Sequence, residues 1–224
     1  MPEVALLITV QEGSDGSVVC LEECQRQTEA LTASEGYSFC IFINDKGAAG
    51  YRKVWEEASA KGFDFYLWMD SDLLLSEGAL ASFFENSVFL RHKAVIAGTV
   101  SDLSGNLLYG GRSRHGRLLE PDQVIPIPCH LYDMMFTLVP EYAVKALENP
   151  ADIFHPSLLD YGCGAKVAKA GIARVIAPGI MARSGRKPEL PAWKNPDKAP
   201  AERILSLAKA GNREFIRVLH SIFR

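Results

Sequence analysis

The sequence lacks long hydrophobic runs and paired cysteines. No apolar stretch approaches the roughly 18 residues that cross a bilayer, and the first residues do not resemble a secretory leader. The cysteines number 5, an odd count, and form no CxxC pair, so neither a disulfide framework nor a zinc site is indicated. We therefore expect a protein of the reducing cytoplasm.

Several common motifs are also absent. The sequence has no GxSxG elbow, no Walker phosphate loop and no GxGxxG fingerprint. Its 18 glycines and 12 prolines follow no repeat, which excludes collagen-like and low-complexity chains. With 48% hydrophobic residues, the chain of 224 residues can bury a core as one globular domain with a small appendage.

The net charge of −3 hides an uneven distribution. Residues 1–182 carry 14 Lys and Arg against 23 Asp and Glu, a net charge of −9, whereas residues 183–224 carry 10 against 4, a net charge of +6. The acidic body argues against nucleic acid as a partner. The basic tail suits a phosphate-bearing ligand, an anionic membrane or the acidic body itself.

Strand-like and helix-like segments alternate in the first hundred residues. Short apolar runs predict buried strands, and the segments between them predict helices, one of them capped by Ser76 and one ended by Gly62. This alternation predicts an α/β fold with a doubly wound, mostly parallel sheet. The predicted strands are 4–10, 38–43, 63–69 and 94–100, and the helices are 17–31, 51–60 and 78–86.

The rhythm changes after residue 100. Glycine-punctuated, hairpin-like pieces predict a smaller second region. They are followed by strands at 134–139 and 175–177 and by helices at 141–147 and 160–170.

The C-terminal segment is proline-rich and then amphipathic. Residues 185–200 contain four prolines and are predicted to form an extended wrap or linker. Helical segments are predicted after it, at 201–210 and 212–223. One interpretation is peripheral contact of residues 212–224 with the inner face of a membrane, near a lipid-linked acceptor. The alternative is a helix packed on the domain or on a homodimer partner.

The sharpest local feature is Asp70-Ser71-Asp72. These residues follow the uncharged run 65–69, so both carboxylates lie where a buried strand surfaces. Ligands of open α/β sheets bind at the carboxyl ends of the strands. A Mg²⁺ or Mn²⁺ ion bridging to a diphosphate would compensate the two charges. The alternative is a capping turn, which Asp and Ser also favour.

Two other strands end in polar residues. Asp45 follows Asn44 and could accept a hydrogen bond from the imide N–H of uracil or thymine, although an Asx turn is equally compatible. Thr9 ends the first strand and could contact the same ligand, or serve only as a β-branched strand residue.

In their order, these motifs resemble the nucleotide-sugar half of family 2 glycosyltransferases, which have the GT-A fold. Later motifs resemble the rhamnosyltransferase-type branch. The resemblance implies a glycosyltransferase domain at 1–184, with a nucleotide-sugar half at 1–100 and an acceptor half at 101–184, followed by the wrap and helices of 185–224. The matching pieces are Leu7–Thr9, Phe42–Gly47, Gly50–Lys53, Trp68–Asp72, Ala97–Val100, Gly105, Leu108–Arg112, Thr137–Pro140, Asp160–Gly162, Ala168–Gly171 and Ala177–Gly179.

This resemblance implies inverting transfer of a sugar from a UDP- or dTDP-linked donor to a glycan or lipid-linked acceptor, as in polysaccharide biosynthesis. It implies that Asp45 contacts the base and Arg52 lies near the diphosphate. It further implies that Asp70 lies near the ribose and that Asp72 binds the Mn²⁺ or Mg²⁺ ion.

The sequence departs from the family where the catalytic base is expected. The family places an acid two residues before its Asp-Tyr-Gly, but this chain has Leu158 there. Asp160 is the nearest carboxylate and is either the base or a helix cap. The first loop also departs, with Gln11 and Glu12 where the family has a polar or aromatic residue and then Asn.

The acceptor side is less defined. His130 and Asp133 precede the strand at 134–139 and face the acceptor by resemblance, or lie in a solvent-facing loop. Two rival functions remain open. A non-catalytic binding relative would explain Leu158, and a nucleotidyltransferase would share the sheet and carboxylates, although the acidic loop 11–15 argues against its phosphate loop.

Overall fold

The computed structural model describes residues 1–10, 17–44, 48–147, 159–185 and 198–202. Its elements follow a mixed α/β order. In chain order they are β1 (Glu3–Thr9), α1 (Ser17–Glu35), β2 (Ser38–Asn44), α2 (Ala48–Lys61), β3 (Phe65–Asp70), β4 (Leu73–Leu75), α3 (Ala79–Phe89), β5 (Ala94–Ala97), β6 (Val100–Ser101), β7 (Leu107–Tyr109), β8 (Gly111–Arg112), β9 (Ile127–Pro128), β10 (Leu131–Tyr132), β11 (Phe136–Pro140), α4 (Glu141–Leu147), α5 (Leu159–Lys169), β12 (Ala173–Ile176) and β13 (Ala182–Ser184).

A seven-stranded sheet of order β2-β1-β3-β11-β5-β12-β9 forms the centre of the molecule. β1 pairs in parallel with β2 and β3, and β12 pairs in parallel with β5. β11 lies antiparallel between β3 and β5, and β9 is an antiparallel edge strand. The sheet is therefore mostly parallel, which confirms the α/β fold predicted from the sequence.

Helices cover both faces of this sheet. Alternate residues of β1 point to opposite faces, as the pleat requires. Val4, Leu6 and Ile8 pack in one cluster with residues of α1 and α3, while Ala5 and Leu7 pack in another with residues of α2, α4 and α5. This doubly wound arrangement buries the strands on both sides, which explains their nearly uncharged sequences.

A smaller sheet lies beside the carboxyl end of β3. Its order is β4-β13-β6-β7, and Ser184 of β13 pairs with Leu73 of β4. A two-stranded ladder joins β8 to β10. Except for β4, these short strands lie after residue 100, where the sequence predicts a smaller, hairpin-rich region, and they flank the segment that contains Asp70 and Asp72.

Helix ends agree with the sequence at two positions and differ at a third. Gly62 and Gly171 follow α2 and α5 with φ of 72°, a conformation that favours glycine. α3 instead begins after Gly78 without a side-chain cap, because the Ser76 hydroxyl donates to the Ile180 carbonyl. The predicted cap at Ser76 is therefore wrong.

The C-terminal segments predicted as helices lie almost entirely outside the described residues, which in the tail are 198–202. In the part of the chain that is described, none of the helices combines the length and the hydrophobicity needed to cross a bilayer.

Candidate functional site

Three polar residues stand side by side at the carboxyl ends of β2, β1 and β3. Thr9 is the register partner of Asn44 on one side and of Asp70 on the other. Backbone hydrogen bonds extend this row, from Val10 N–H to the Asn44 carbonyl at 2.8 Å and from Ser71 N–H to the Thr9 carbonyl at 2.9 Å. Because all three side chains of the row are buried, their polar groups are fixed at one edge of the sheet.

Asp72 lies just beyond this row, where the chain turns from β3 into β4. Its Oδ2 atom accepts a hydrogen bond of 3.0 Å from the Ser184 hydroxyl. Its Oδ1 atom is shielded from solvent and has no hydrogen-bond partner among the residues that the structure describes. A shielded carboxylate oxygen without a partner costs free energy. A cation at this point would remove that cost, so the residue fits a metal ligand.

Asp70 is more enclosed than Asp72. Its side chain is only 5% exposed, and its N–H donates to the Met135 carbonyl at 3.0 Å. This bond ties the end of β3 to the chain leading into β11. Among the described residues, no group of three or more His, Cys, Asp or Glu side chains could hold a metal ion. Within the described part of the chain, Asp72 therefore belongs to no preformed metal site of three such side chains.

The first turns of α1 reach the same edge of the sheet. Cys20 Sγ lies 3.7 Å from the Asp70 carbonyl oxygen. Burial raises the pKa of the Cys20 thiol to about 12, and the negative charges of Asp72 and Asp70 add to the shift. The thiol is therefore neutral at physiological pH and packs as a small apolar group. It brings the N-terminal part of α1 against the carboxylate turn.

The remaining predicted donor residues lie partly or wholly outside the described structure. Asp45 is outside it and directly follows Asn44 in the chain. The backbone of Arg52 lies in α2, but its side chain is outside the description. Their predicted contacts with the base and the diphosphate stay predictions.

The predicted base can be placed by its backbone alone. Leu158 is outside the described residues, whereas Asp160 lies in the first turn of α5. α5 ends shortly before β12 begins, so it runs back along the sheet for about 16 Å at 1.5 Å per residue. The first turn of α5 therefore lies toward the carboxyl edge of the sheet, the edge that carries Thr9 and Asp70.

Asp133 is buried and paired with Arg112. Arg112 Nε donates to Asp133 Oδ1 and Arg112 Nη2 donates to Asp133 Oδ2, both at 3.0 Å. The N–H of Gly110 also donates to Asp133 Oδ2, at 2.9 Å. Asp133 is 5% exposed and so does not lie in a solvent-facing loop, whereas His130 is exposed. No local sequence pattern indicates the pairing with Arg112, because 21 residues separate the partners.

Thr99 adds a further polar atom just beyond the carboxyl end of β5. Its hydroxyl is buried and has no hydrogen-bond partner among the described residues. Its carbonyl accepts from the Met181 N–H at 2.9 Å, which joins the large sheet to the segment before β13. The sequence offered no reason to single out this hydroxyl, since a threonine after a strand is common.

Comparisons with known proteins find no matching family model and no matching curated protein. Among solved structures, A197 from STIV matches with a TM-score of 0.49 and 10% identity over 83% of this chain and 97% of its own. GalNAc-T7 with UDP, GalNAc and Mn²⁺ matches with a TM-score of 0.49 and 10% identity over 93% of this chain and 48% of its own.

A third solved structure is the mannosyltransferase PcManGT from Pyrobaculum calidifontis, in complex with GDP-Man and Mn²⁺. It matches with a TM-score of 0.49 and 11% identity over 99% of this chain and 74% of its own. Because identities and scores of this size do not carry an assignment of activity, the function is inferred from the residues of this chain.

Proposed function

We propose that this chain is a GT-A-type glycosyltransferase that transfers a sugar from a nucleoside-diphosphate donor to an acceptor hydroxyl. The observation that carries the proposal is the shielded Oδ1 atom of Asp72, which has no partner in the described structure and lies beside the Asn44, Thr9 and Asp70 row. An edge of this kind, at the carboxyl ends of parallel strands, is where α/β sheets bind nucleotides.

Asp72 is the proposed metal ligand, and Ser184 orients it. The Ser184 hydroxyl donates to Oδ2 and so holds the carboxylate in one rotamer. The Oδ1 atom has no hydrogen-bond partner among the described residues. Mn²⁺ or Mg²⁺ is commonly bound by one or two carboxylates together with substrate phosphates, which suits a site with few protein ligands. Such an ion, when bound, stabilises negative charge on a departing diphosphate.

The donor nucleotide would follow the row of strand ends. Asp70 and Thr9 are proposed to contact the ribose side, and Asp45 is proposed to accept from the imide N–H of a uracil or thymine base. The N-terminal part of α1 adds a favourable electrostatic contribution, because helix N-termini attract anions such as a diphosphate. Arg52 is proposed to supply a positive charge to the same diphosphate.

Transfer also requires a group that takes the acceptor's proton. For an inverting reaction, we propose Asp160 as this base, supported by its backbone position in the first turn of α5. Asp133 accepts hydrogen bonds from Arg112 and Gly110 through both of its oxygens. We therefore propose that it holds the chain of the acceptor side in place and does not transfer a proton. Exposed His130 is the proposed direct contact to a glycan or lipid-linked acceptor.

The experiment is a screen of UDP-, dTDP- and GDP-linked sugars for thermal stabilisation and hydrolysis, with and without Mn²⁺. For a donor that binds, Asp160→Asn should slow transfer by roughly 10²–10⁴-fold and leave nucleotide affinity unchanged. Asp64→Asn, an exposed aspartate at the opposite edge of the sheet, is the matched control. Full activity in Asp160→Asn would remove this residue from the mechanism.

A second candidate is a non-catalytic relative that binds a nucleotide sugar, favoured by Leu158 at the expected position of the base. This candidate predicts metal-dependent nucleotide binding without turnover of any donor. Leu158→Asp would then create activity that the parent chain lacks. The nucleotidyltransferase alternative predicts release of pyrophosphate from a nucleoside triphosphate that reacts with a sugar phosphate, which adding these two substrates to the screen would detect.

A further inference from the structure

The turn that joins α3 to β5 is held in an unusual backbone conformation. Arg91 and His92 have φ of 54° and 56°, a left-handed pair without glycine, which side chains with a Cβ atom rarely adopt. The His92 N–H donates to the Ser87 carbonyl at 2.6 Å, and His92 Nδ1 lies 2.9 Å from the Ser87 hydroxyl. The His92 ring also meets the edge of Phe65. The turn is therefore fixed by its own packing.

This turn forms one wall of a groove of about 820 Å³. Three of the residues lining it are the exposed cations Arg91, Lys93 and Lys145, and Tyr142 and Ile172 add ring and aliphatic surface. No acidic side chain is among the described residues that line it. Nor does any of the three cations form an ion pair within the described part of the chain. Among the described residues that line it, the groove therefore carries positive charge without a paired carboxylate.

Stabilisation of helix ends does not account for these cations. Basic residues near helix C-termini often donate to the last carbonyls. At the end of α4 that role belongs to Lys166, whose Nζ donates to the Leu147 carbonyl at 3.2 Å. Lys145 makes no such contact in the described structure. It lines the same groove as Arg91 and Lys93.

The groove is separate from the proposed donor site. Lys93 immediately precedes β5, and Ile172 immediately precedes β12, so the groove lies at the edge where parallel strands begin. Thr9 and Asp70 lie where strands end. At about 3.3 Å per residue, the six residues of β3 put roughly 17 Å between the two edges. A ligand in the groove would not overlap the donor.

We propose that this groove binds the phosphate groups of a ligand carrying at least two negative charges. A guanidinium and two ammonium groups lining one groove match phosphate oxygens, and the turn fixes the backbone that carries Arg91 and Lys93. Tyr142 and Ile172 would contact the organic part of such a molecule. The phosphate could belong to a soluble organic phosphate or to a lipid headgroup. Val88 and Phe89, 56% and 71% exposed at the end of α3, could enter a bilayer beside it.

The test is calorimetric titration of the full chain with pyrophosphate, at low salt and in chelator so that no metal-assisted binding contributes. Removing two of the cations in Lys93→Gln/Lys145→Gln should weaken the affinity by about fivefold for each charge removed. Lys198→Gln, which neutralises an exposed lysine paired with Glu202, is the matched control and should bind like the parent. Absence of pyrophosphate binding, or equal affinity in the double variant, would overturn the proposal.

A vesicle assay separates the two sources of phosphate. Co-sedimentation with phosphatidylglycerol vesicles that is lost in both Phe89→Ser and the double variant would assign the groove to a lipid headgroup. Pyrophosphate binding without vesicle binding would assign it to a soluble ligand. Both substituted lysines line the groove and neither lies at the donor edge, so a loss of affinity in the double variant does not depend on the donor-site proposal. Pyrophosphate binding that the double variant leaves unchanged would place the anion elsewhere and contradict the groove.

Discussion

Two carboxylates at the same edge of the sheet have opposite surroundings. Asp133 receives hydrogen bonds from Arg112 and from a backbone N–H, and both of its oxygens are occupied. Asp72 has one oxygen bound by Ser184 and one shielded oxygen without a partner in the described structure. The first carboxylate is suited to holding the chain in place and the second to binding something that the chain itself does not supply.

Asp133→Asn should therefore lower the free energy of unfolding substantially. The amide cannot neutralise the Arg112 guanidinium, which is only 19% exposed, and its NH₂ group would face the N–H donors. Breaking one side of a buried ion pair costs about 3 kcal/mol. Urea denaturation followed by circular dichroism measures the change. Glu57→Gln, which removes an exposed ion pair with Lys53, should change the stability by less than about 0.5 kcal/mol.

Equal stability of Asp133→Asn and Glu57→Gln would contradict the structural role of the Arg112 pair. The pair also marks a limit of prediction from sequence. Asp70 and Asp72 could be anticipated because the uncharged run before them indicates a buried strand. The pairing of Asp133 with Arg112 depends on the β8–β10 ladder, which no local pattern specifies.

At the scale of elements, short apolar runs predicted six of the seven strands of the large sheet but not their full pairing. β1, β2, β3, β5, β11 and β12 all overlap the predicted strands, although the predicted strand 94–100 is divided into β5 and β6. The antiparallel insertion of β11 between β3 and β5 could not be read from the sequence, because pairing depends on contacts between residues far apart in the chain. The two-residue strands β8, β9 and β10 are too short for any periodicity to develop.

Close packing of β8 on the large sheet makes Gly111 a sensitive position. A Cβ atom there would clash with Ile176 Cγ2 and lie 2.9 Å from Cys129 Cβ. Gly111→Ala should therefore destabilise the fold by about 2 kcal/mol or more, since overpacking forces neighbouring atoms to move. Thermal denaturation would measure the effect. Ile176→Ala removes the atom nearest to the added Cβ, so it should cost less stability in the Gly111→Ala variant than in the parent.

The matched control is Gly185→Ala, whose added Cβ would meet, among the described residues, only Leu103 Cδ1 at 4.0 Å. It should leave the melting temperature close to that of the parent. A Gly111→Ala variant as stable as Gly185→Ala would show that β8 does not pack against β12 as described.

At the scale of the whole molecule, the acidic residues 1–182 are followed by the basic tail 183–224, for which the sequence allows two interpretations. Deleting residues 212–224 tests the two interpretations of the tail. If the tail binds an anionic membrane, the deletion should abolish binding to acidic vesicles and leave the melting temperature unchanged. If the segment instead packs on the domain or in a homodimer, the deletion should lower the melting temperature or change the mass measured by light scattering.

Charge screening adds a second criterion for the tail. Residues 183–224 carry a net charge of +6. Their binding to anionic vesicles should weaken as the salt concentration rises through about 0.1 M, where the screening length is about 10 Å. Vesicle binding that is insensitive to salt, or that survives the deletion, would contradict the membrane interpretation of residues 212–224. Vesicle binding that survives the deletion would instead indicate that the groove beside Arg91 contacts the membrane.

The central claim is that Asp72 joins a divalent cation to a nucleotide diphosphate at the carboxyl edge of the sheet. Calorimetric titration of UDP, dTDP and GDP into the parent chain and Asp72→Asn, each with Mn²⁺ and with chelator, tests it most directly. The account predicts that Mn²⁺ strengthens binding of one nucleotide to the parent by about tenfold or more, an extra 1.4 kcal/mol. Ser184→Ala should reduce this gain by loosening Asp72. Asp72→Asn should abolish it and retain the metal-free affinity. Equal affinity with and without Mn²⁺ in the parent, or an undiminished gain in Asp72→Asn, would contradict the account.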